Sequence, residues 1–340
     1  MSFNTAHTEL PPAYAALLPA LKRMGLITDN TPLQLTPLTG GVSSLIVKVQ
    51  TADTQFCVKR ALPQLKVSAL WEAPVRRNRD EVAWLNFAQQ VVPQAVPRLL
   101  GEDEQDCVFA MAFLPAEQYP VWKQQLMQGD IQPHTAEQVA LTLAQLHAAS
   151  ANDSKLLSGF DHDADFVAIR LSPYFLYTAE KHPACATALH ALVQQTLNNK
   201  RVLVHGDVSP KNILVGPHGP VLLDAECACH GDAAFDLAFL LTHLLLKCLH
   251  LPERTADYLH CFDVVCDSYL QRVDWEPADQ LQARTCGLLA GMLLARVDGK
   301  SPVEYLTQPA QHDFIRSKTI PWLQHPPTQL AQMRQQWITS

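Results

Sequence analysis

Residues 203–215 read Leu203-Val204-His205-Gly206-Asp207-Val208-Ser209-Pro210-Lys211-Asn212-Ile213-Leu214-Val215. A short apolar strand ends in a polar turn, and a second apolar strand resumes six residues beyond Asp207. That pattern places His205, Asp207 and Asn212 in a loop anchored at both ends by buried strands. Gly216-Pro217-His218-Gly219-Pro220 follows, a strong turn signal between Ile213-Leu214-Val215 and Val221-Leu222-Leu223. The resulting hairpin delivers Asp224 at its end, in Leu222-Leu223-Asp224-Ala225-Glu226. Three oxygen-bearing side chains are thereby expected at one edge of a small sheet.

Such a set suits phosphoryl transfer, where catalysis is mostly positioning and neutralisation of phosphate charge. A hard cation such as magnesium takes one or two carboxylates, an amide oxygen and phosphate oxygens. A separate carboxylate must orient the acceptor hydroxyl and accept its proton. Asp207 fits that catalytic role. Asn212 and Asp224 fit the metal, with Glu226 as a further candidate ligand, direct or through water.

Working outward, the N-terminal third is strand-rich. Leu33–Leu38, Leu45–Thr51 and Gln55–Ala61 read as strands, with Arg98–Leu100 and Cys107–Phe113 as two more. A helix is expected over 10–26 and another over 79–90. Phe113-Leu114-Pro115 breaks the pattern as a connector. Beyond it, helices are expected over 136–149, 235–249, 258–272 and 280–297. The expectation is an α+β, two-lobed architecture: an N-terminal lobe, residues 1–113, of antiparallel sheet with a leading helix, and a helix-rich C-terminal lobe, residues 114–340, that carries the catalytic loop and an acceptor site.

The catalytic segment resembles that of the protein-kinase-like superfamily. His-Gly-Asp in place of His-Arg-Asp is the form of its aminoglycoside phosphotransferase and choline kinase branch, and the five-residue spacing from Asp207 to Asn212 matches. Asp224-Ala225-Glu226 stands where the metal-binding Asp-Phe-Gly of protein kinases stands. Gly231-Asp232-Ala233-Ala234-Phe235-Asp236-Leu237-Ala238 is similar to a segment that follows the metal Asp in that branch. The resemblance implies that Asp236 braces the catalytic loop, and that His205 is structural. Ser209 departs from relatives that carry a basic side chain or a histidine at that position.

The same resemblance assigns the nucleotide side. Gly40, Gly41, Ser43 and Ser44, in Thr39-Gly40-Gly41-Val42-Ser43-Ser44, correspond to a phosphate-covering loop, since paired glycines let backbone N–H groups approach phosphate oxygens. Lys59 resembles the strand lysine that pairs with the α- and β-phosphates. Its neighbour Arg60 points to the opposite face, but hydrophobicity alone does not say which face is which. Glu81 is the candidate partner of Lys59, with Asp80 its rival by one position. Met111 to Phe113 would carry the backbone that contacts adenine. ATP and magnesium are the implied cofactors. The implied activity is transfer of the γ-phosphoryl group to a hydroxyl of a small molecule such as an amino sugar, an aminoglycoside-like compound or a choline-like alcohol. A kinase-like binding module without turnover and a metal-dependent phosphoesterase are the competing classes.

Composition agrees with this class. The formal charge of −7 argues against a nucleic-acid partner. The longest apolar run, Leu237–Leu246, is too short to span a bilayer and is expected to be a buried helix. Nine cysteines with no Cys-x-x-Cys pair read as reduced, small apolar residues of a cytoplasmic protein. The acidic residues Asp161, Asp163, Asp165, Asp263, Asp267 and Glu304 are candidates for a carboxylate-lined site that would receive an amine-bearing acceptor. His147, which follows an apolar helical stripe, is expected to be structural. Asp232 is expected to cap a helix.

Overall fold

The computed structural model describes residues 3–4, 10–38, 44–62 and 77–338. The chain divides into two compact units, Met1–Pro115 and Ala116–Ser340.

The first unit is built on one antiparallel sheet. Its strands are β1 (Phe3–Asn4), β2 (Gln34–Pro37), β3 (Ser44–Gln50), β4 (Gln55–Ala61), β5 (Leu99–Asp103) and β6 (Val108–Ala112), in the order β1-β2-β3-β4-β6-β5. The register pairs Val47 with Val58 and Val49 with Phe56, so these four side chains share one face. That face packs with Leu17, Leu21 and Leu35 into the core of the unit. Cys57 and Lys59 take the other face, where the register sets them beside Met111 and Phe109. The helix Arg77–Val91 packs against β4, β5 and β6. Both faces of β4 are therefore buried, which is why its hydrophobic pattern left the orientation of Lys59 open.

The single helix expected over 10–26 is instead two short ones, Pro12–Ala15 and Leu18–Arg23. Pro19 is the cause: it has no N–H to give to the carbonyl of Ala15, and its ring would collide with that carbonyl in a continuous helix. In the first turn of a new helix both problems vanish. The second helix closes on Gly25 at φ +71°, with the Leu26 N–H on the Leu21 carbonyl at 3.0 Å.

The second unit is helical around two small antiparallel pairs. β7 (Val202–Val204) pairs with β10 (Cys229–Gly231), and β8 (Ile213–Gly216) forms a hairpin with β9 (Gly219–Leu222). The helix Ala233–His250 lies at the centre, packed on Thr255–Leu270 and Ala278–Asp298. Among the described residues it alone is long and apolar enough to cross a membrane by length and composition, and 89% of it is buried inside the protein. Its burial on all sides explains an apolar pattern wider than a stripe. Val167–Leu176 is a π-helix of ten residues that contains Pro173. Wide helical turns of this kind are uncommon and concentrate at functional sites. No element was expected there from sequence. All nine cysteines are unbridged, and eight of them are buried.

Candidate active site

In the first unit, Lys59 and Glu81 are each 2% exposed. The Lys59 ammonium lies 2.7 and 2.8 Å from the two Glu81 carboxylate oxygens. The Arg60 and Asp80 alternatives are thus set aside: both are only half-buried, and neither takes part in this pair. Removing one member of such a buried pair typically costs ~3–5 kcal/mol, because the other charge is left uncompensated. Gly40, Gly41 and Ser43 lie outside the described residues. Ser44 opens β3 with its hydroxyl buried and without a hydrogen-bond partner among the described residues. Met111 and Ala112 end β6, and the half-buried Phe113 follows, its ring 4.3 Å beneath the Lys48 ammonium.

In the second unit the loop after β7 is clamped from several directions. Asp236 is fully buried and accepts the N–H groups of His205 at 2.6 Å and Gly206 at 2.8 Å. Its second contact is His147 Nε2 at 3.2 Å, and His147 Nδ1 lies 2.6 Å from the Tyr269 hydroxyl. The Asp236 carboxylate therefore orients the loop, as the resemblance implied, and His147 and Tyr269 orient Asp236.

His205 is structural, and its protonation can be read from its partners. The Asp207 N–H donates to Nδ1 at 3.2 Å, so Nδ1 is the acceptor. Nε2 then carries the proton and donates to the Leu223 carbonyl at 3.1 Å. Burial lowers the imidazole pKa against the pull of Asp236 and Asp207, which agrees with this neutral form. Gly206 sits at φ +78°, and a Cβ there would lie 2.5 Å from the Cys227 carbonyl oxygen. Only glycine lets the loop turn at that point.

Asp207 presents its carboxylate to two cations. Arg170 Nη2 lies 2.8 Å and Lys211 Nζ 3.2 Å from Oδ2. Arg170 also donates from Nε to the Gly206 carbonyl at 2.6 Å. Burial alone would raise the Asp207 pKa, but Lys211 and Arg170 outweigh it and hold the group well below the usual carboxylate range. Lys211 is thus a partner of Asp207 rather than a merely solvated loop lysine. Arg170 had no sequence signal: it is a single arginine in an unassigned segment, and only the π-helix brings it to the loop.

Asn212 donates from Nδ2 to the Asp207 carbonyl at 3.1 Å, closing the loop on itself. The Leu223 N–H bonds the Asn212 carbonyl at 2.9 Å and so extends the β8–β9 ladder by one step. Asn212 and Asp224 accordingly leave the same end of the hairpin. Asp224 holds φ at +66°, a left-handed conformation that few residues other than glycine adopt and that clusters at functional sites. Asp232 caps the helix Ala233–His250 by accepting the Ala234 N–H at 3.0 Å, and Arg284 grips the same carboxylate at 2.7 and 3.0 Å.

A sheet-based unit with a buried strand-lysine–helix-glutamate pair, joined to a helical unit with this loop and hairpin, defines the protein-kinase-like fold. Known proteins place it more narrowly. The model of the phosphotransferase enzyme family matches residues 34–250. The chain belongs to that family. It is 26% identical over 262 residues to the methylthioribose kinase of Geobacillus thermodenitrificans, an alignment that covers 68% of this chain and 65% of the relative. The match thus spans just under two thirds of that curated relative's length. Among solved structures, an ethanolamine kinase from Plasmodium vivax has a TM-score of 0.55 at 14% identity, covering 93% of this chain and 88% of that one. A choline kinase from Cryptosporidium parvum has a TM-score of 0.54 at 11% identity, covering 96% and 98%. At these identities the structural likeness speaks to the fold.

Proposed function

We propose that this protein is an ATP-dependent kinase that moves the γ-phosphoryl group to a hydroxyl of a small molecule, with Asp207 as the catalytic carboxylate. The observation that carries this reading is the clamped loop. Asp236, Arg170 and Asn212 fix the backbone on either side of Asp207, and the carboxylate is buried and anionic. A carboxylate held anionic by Arg170 and Lys211 is a weak base. Its main task is to accept a hydrogen bond from the acceptor hydroxyl and aim its lone pair, taking the proton late. That order suits a loose transition state with little charge on the attacking oxygen.

The donor set fits magnesium. Asn212 commits its Nδ2 to the loop, so its Oδ1 is the arm left for a cation, and Asp224 adds a carboxylate from the same hairpin end. Glu226 is a further ligand in this reading, directly or through water. Hard oxygen donors that leave several positions for phosphate and water match that ion. Bound there, magnesium would neutralise charge on the triphosphate. Lys59, oriented by Glu81, holds the α- and β-phosphates. Gly40, Gly41, Ser43 and Ser44 cover the phosphates, and the backbone from Met111 to Phe113 receives the adenine. Nine unbridged cysteines support a reducing, cytoplasmic setting. The curated relatives are named methylthioribose kinases, which makes a small sugar a member of the acceptor range to test.

The test is ADP release from magnesium-ATP with an acceptor panel. Asp207→Asn is expected to lower kcat by about a thousandfold while ATP affinity, read by calorimetry, stays within a few fold. Retained turnover in that variant would remove Asp207 from the chemistry. ATP binding without turnover on any acceptor would favour the silent binding module.

A further inference from the structure

Four of the six acidic residues expected to receive an amine are already engaged. Asp161 and Asp163 pair with Lys200, Asp263 with Arg334, and Glu304 with Lys123. Beyond Asp207 in the second unit, Lys247 and Arg296 pair with no carboxylate among the described residues, while Glu304, held by Lys123, is an acidic group whose charge reaches both. Lys247 lies about three helical turns beyond the loop-bracing Asp236 of the helix Ala233–His250 and is fully buried. Its ammonium has the His243 carbonyl at 3.4 Å and the Tyr305 ring centre at 5.3 Å, and no carboxylate pairs with it among the described residues. Arg296 donates to the Tyr174 hydroxyl at 3.1 Å and to Ser301, again without a carboxylate among the described residues. Its Nε is buried with no hydrogen-bond partner, as is the Tyr305 hydroxyl. Lys123, which carries Glu304 with it, lies 5.9 Å from the Tyr305 ring centre and is 30% exposed.

This cluster is continuous with the catalytic loop. Tyr174, which takes the Arg296 hydrogen bond, is four residues along the π-helix from Arg170, the partner of Asp207. Its ring packs 5.6 Å from Phe239, which packs 5.6 Å from His243, and His243 feels the charges of Lys247, Arg296 and Asp207. A buried cation with no bonded counter-charge is costly, even with Glu304 in its surroundings, and donors left without acceptors add to that cost. Both costs are relieved by an anion with several acceptor oxygens. Burial, with repulsion from Lys123 and Arg296, already pulls the Lys247 pKa down to about 7.

We propose that the acceptor is a small organic anion, a hydroxy acid or sugar phosphate, whose carboxylate or phosphate is held by Arg296 and Lys123 in the field of Lys247 while its hydroxyl faces Asp207. This rests on the kinase reading above and narrows its substrate class. Carboxylate and phosphate share the chemistry that the cluster recognises: a compact, multiply accepting negative group. Atoms balance as in any kinase step. The acceptor oxygen forms the new P–O bond, the bond from the γ-phosphorus to the bridging oxygen breaks, ADP leaves, and the hydroxyl proton passes to Asp207.

The experiment is ADP release from magnesium-ATP with matched probes: glycerate and ribonate, glycerol 3-phosphate and ribose 5-phosphate, neutral glycerol, ribose and methylthioribose, and cationic choline and glucosamine. An anionic probe is expected to exceed its neutral counterpart at least about tenfold in kcat/KM. Whether the carboxylate or the phosphate arm wins identifies the headgroup. Arg296→Met and the more exposed Lys123→Met should each raise KM for the anionic probe about tenfold, with KM for ATP within about twofold, and Arg296→Lys should recover part of the loss. A neutral or cationic probe that performs best overturns the proposal, as does an equal effect of both variants on every acceptor. Turnover of no probe counts against the kinase reading instead. Calorimetry with the same anions then decides the site: saturable binding that the two variants lose supports it, and absence of binding overturns it.

Discussion

The two ends of the helix Ala233–His250 handle buried charge in opposite ways. Near its start, Asp236 is a buried anion with two backbone N–H groups and an imidazole around it. Near its end, Lys247 is a buried cation with one long contact to a carbonyl and a ring face. The first arrangement is satisfied and serves to hold a loop in place. The second is unsatisfied, and an unsatisfied group in a protein interior is usually retained for something that binds to it. One helix thus supplies both a rigid brace and an open electrostatic demand, some three turns apart.

The sharpest way to break this contrast is at the satisfied end. Asp236→Ala leaves two loop N–H groups and an imidazole without their acceptor. It is expected to cost ~3–5 kcal/mol of stability, measured by denaturant unfolding, and to lower turnover through a displaced Asp207. Unchanged stability would mean that the brace is dispensable.

At the other end the sign reverses. The Lys247 pKa is about 7 in the folded protein and 10.5 is its ordinary value. Between those pH values the unfolded chain binds the extra proton, so stability attributable to this group rises as pH climbs from about 7 toward 10.5 and changes little below pH 7. Charged groups that face Lys247 include Lys123, Arg296 and Glu304, so the slope is expected to weaken in high salt for their part only. Lys247→Met is expected to stabilise the protein at pH 7 by ~1–3 kcal/mol, to flatten that rise, and to weaken acceptor binding. A destabilised variant with the same pH slope would show that the lysine is not carrying an uncompensated charge.

Ser209 gives the smallest effect. Its hydroxyl is buried without a partner among the described residues, two residues from Asp207 in sequence. Ser209→Ala should change stability by less than about 1 kcal/mol, in the stabilising direction if at all. If turnover falls while stability holds, the hydroxyl is reserved for a phosphate oxygen.

The site was legible in sequence where it depended on short-range pattern. The strand ends at Val204 and Ile213, the Pro217-His218 turn and the spacing from Asp207 to Asn212 are local signals, and they place the loop and hairpin. Lys59 was harder, because β4 is buried on both faces and alternation then carries no information about which side is which. Its ion pair with Glu81 is a long-range fact. The expectation of one helix over 10–26 came from reading apolar spacing past Pro19. Arg170 was not legible at all. Its role depends on a π-helix, whose wider turn shifts side-chain directions away from the period that sequence reading assumes. The partners of the acidic candidates were illegible for a similar reason: Asp161, Asp163, Asp263 and Glu304 were counted singly, whereas Lys200, Arg334 and Lys123 pair with them in space.

The relay from Asp236 through His147 to the Tyr269 hydroxyl ties three helices to one turn of backbone, and the Trp275 ring closes over both His147 and Tyr269 edge-on. A hydroxyl far along the chain therefore helps set where the backbone of the loop before Asp207 lies. On the kinase reading proposed above, damage to this corner would surface as a well-folded protein that fires inaccurately, its losses concentrated in turnover and sparing its grip on nucleotide.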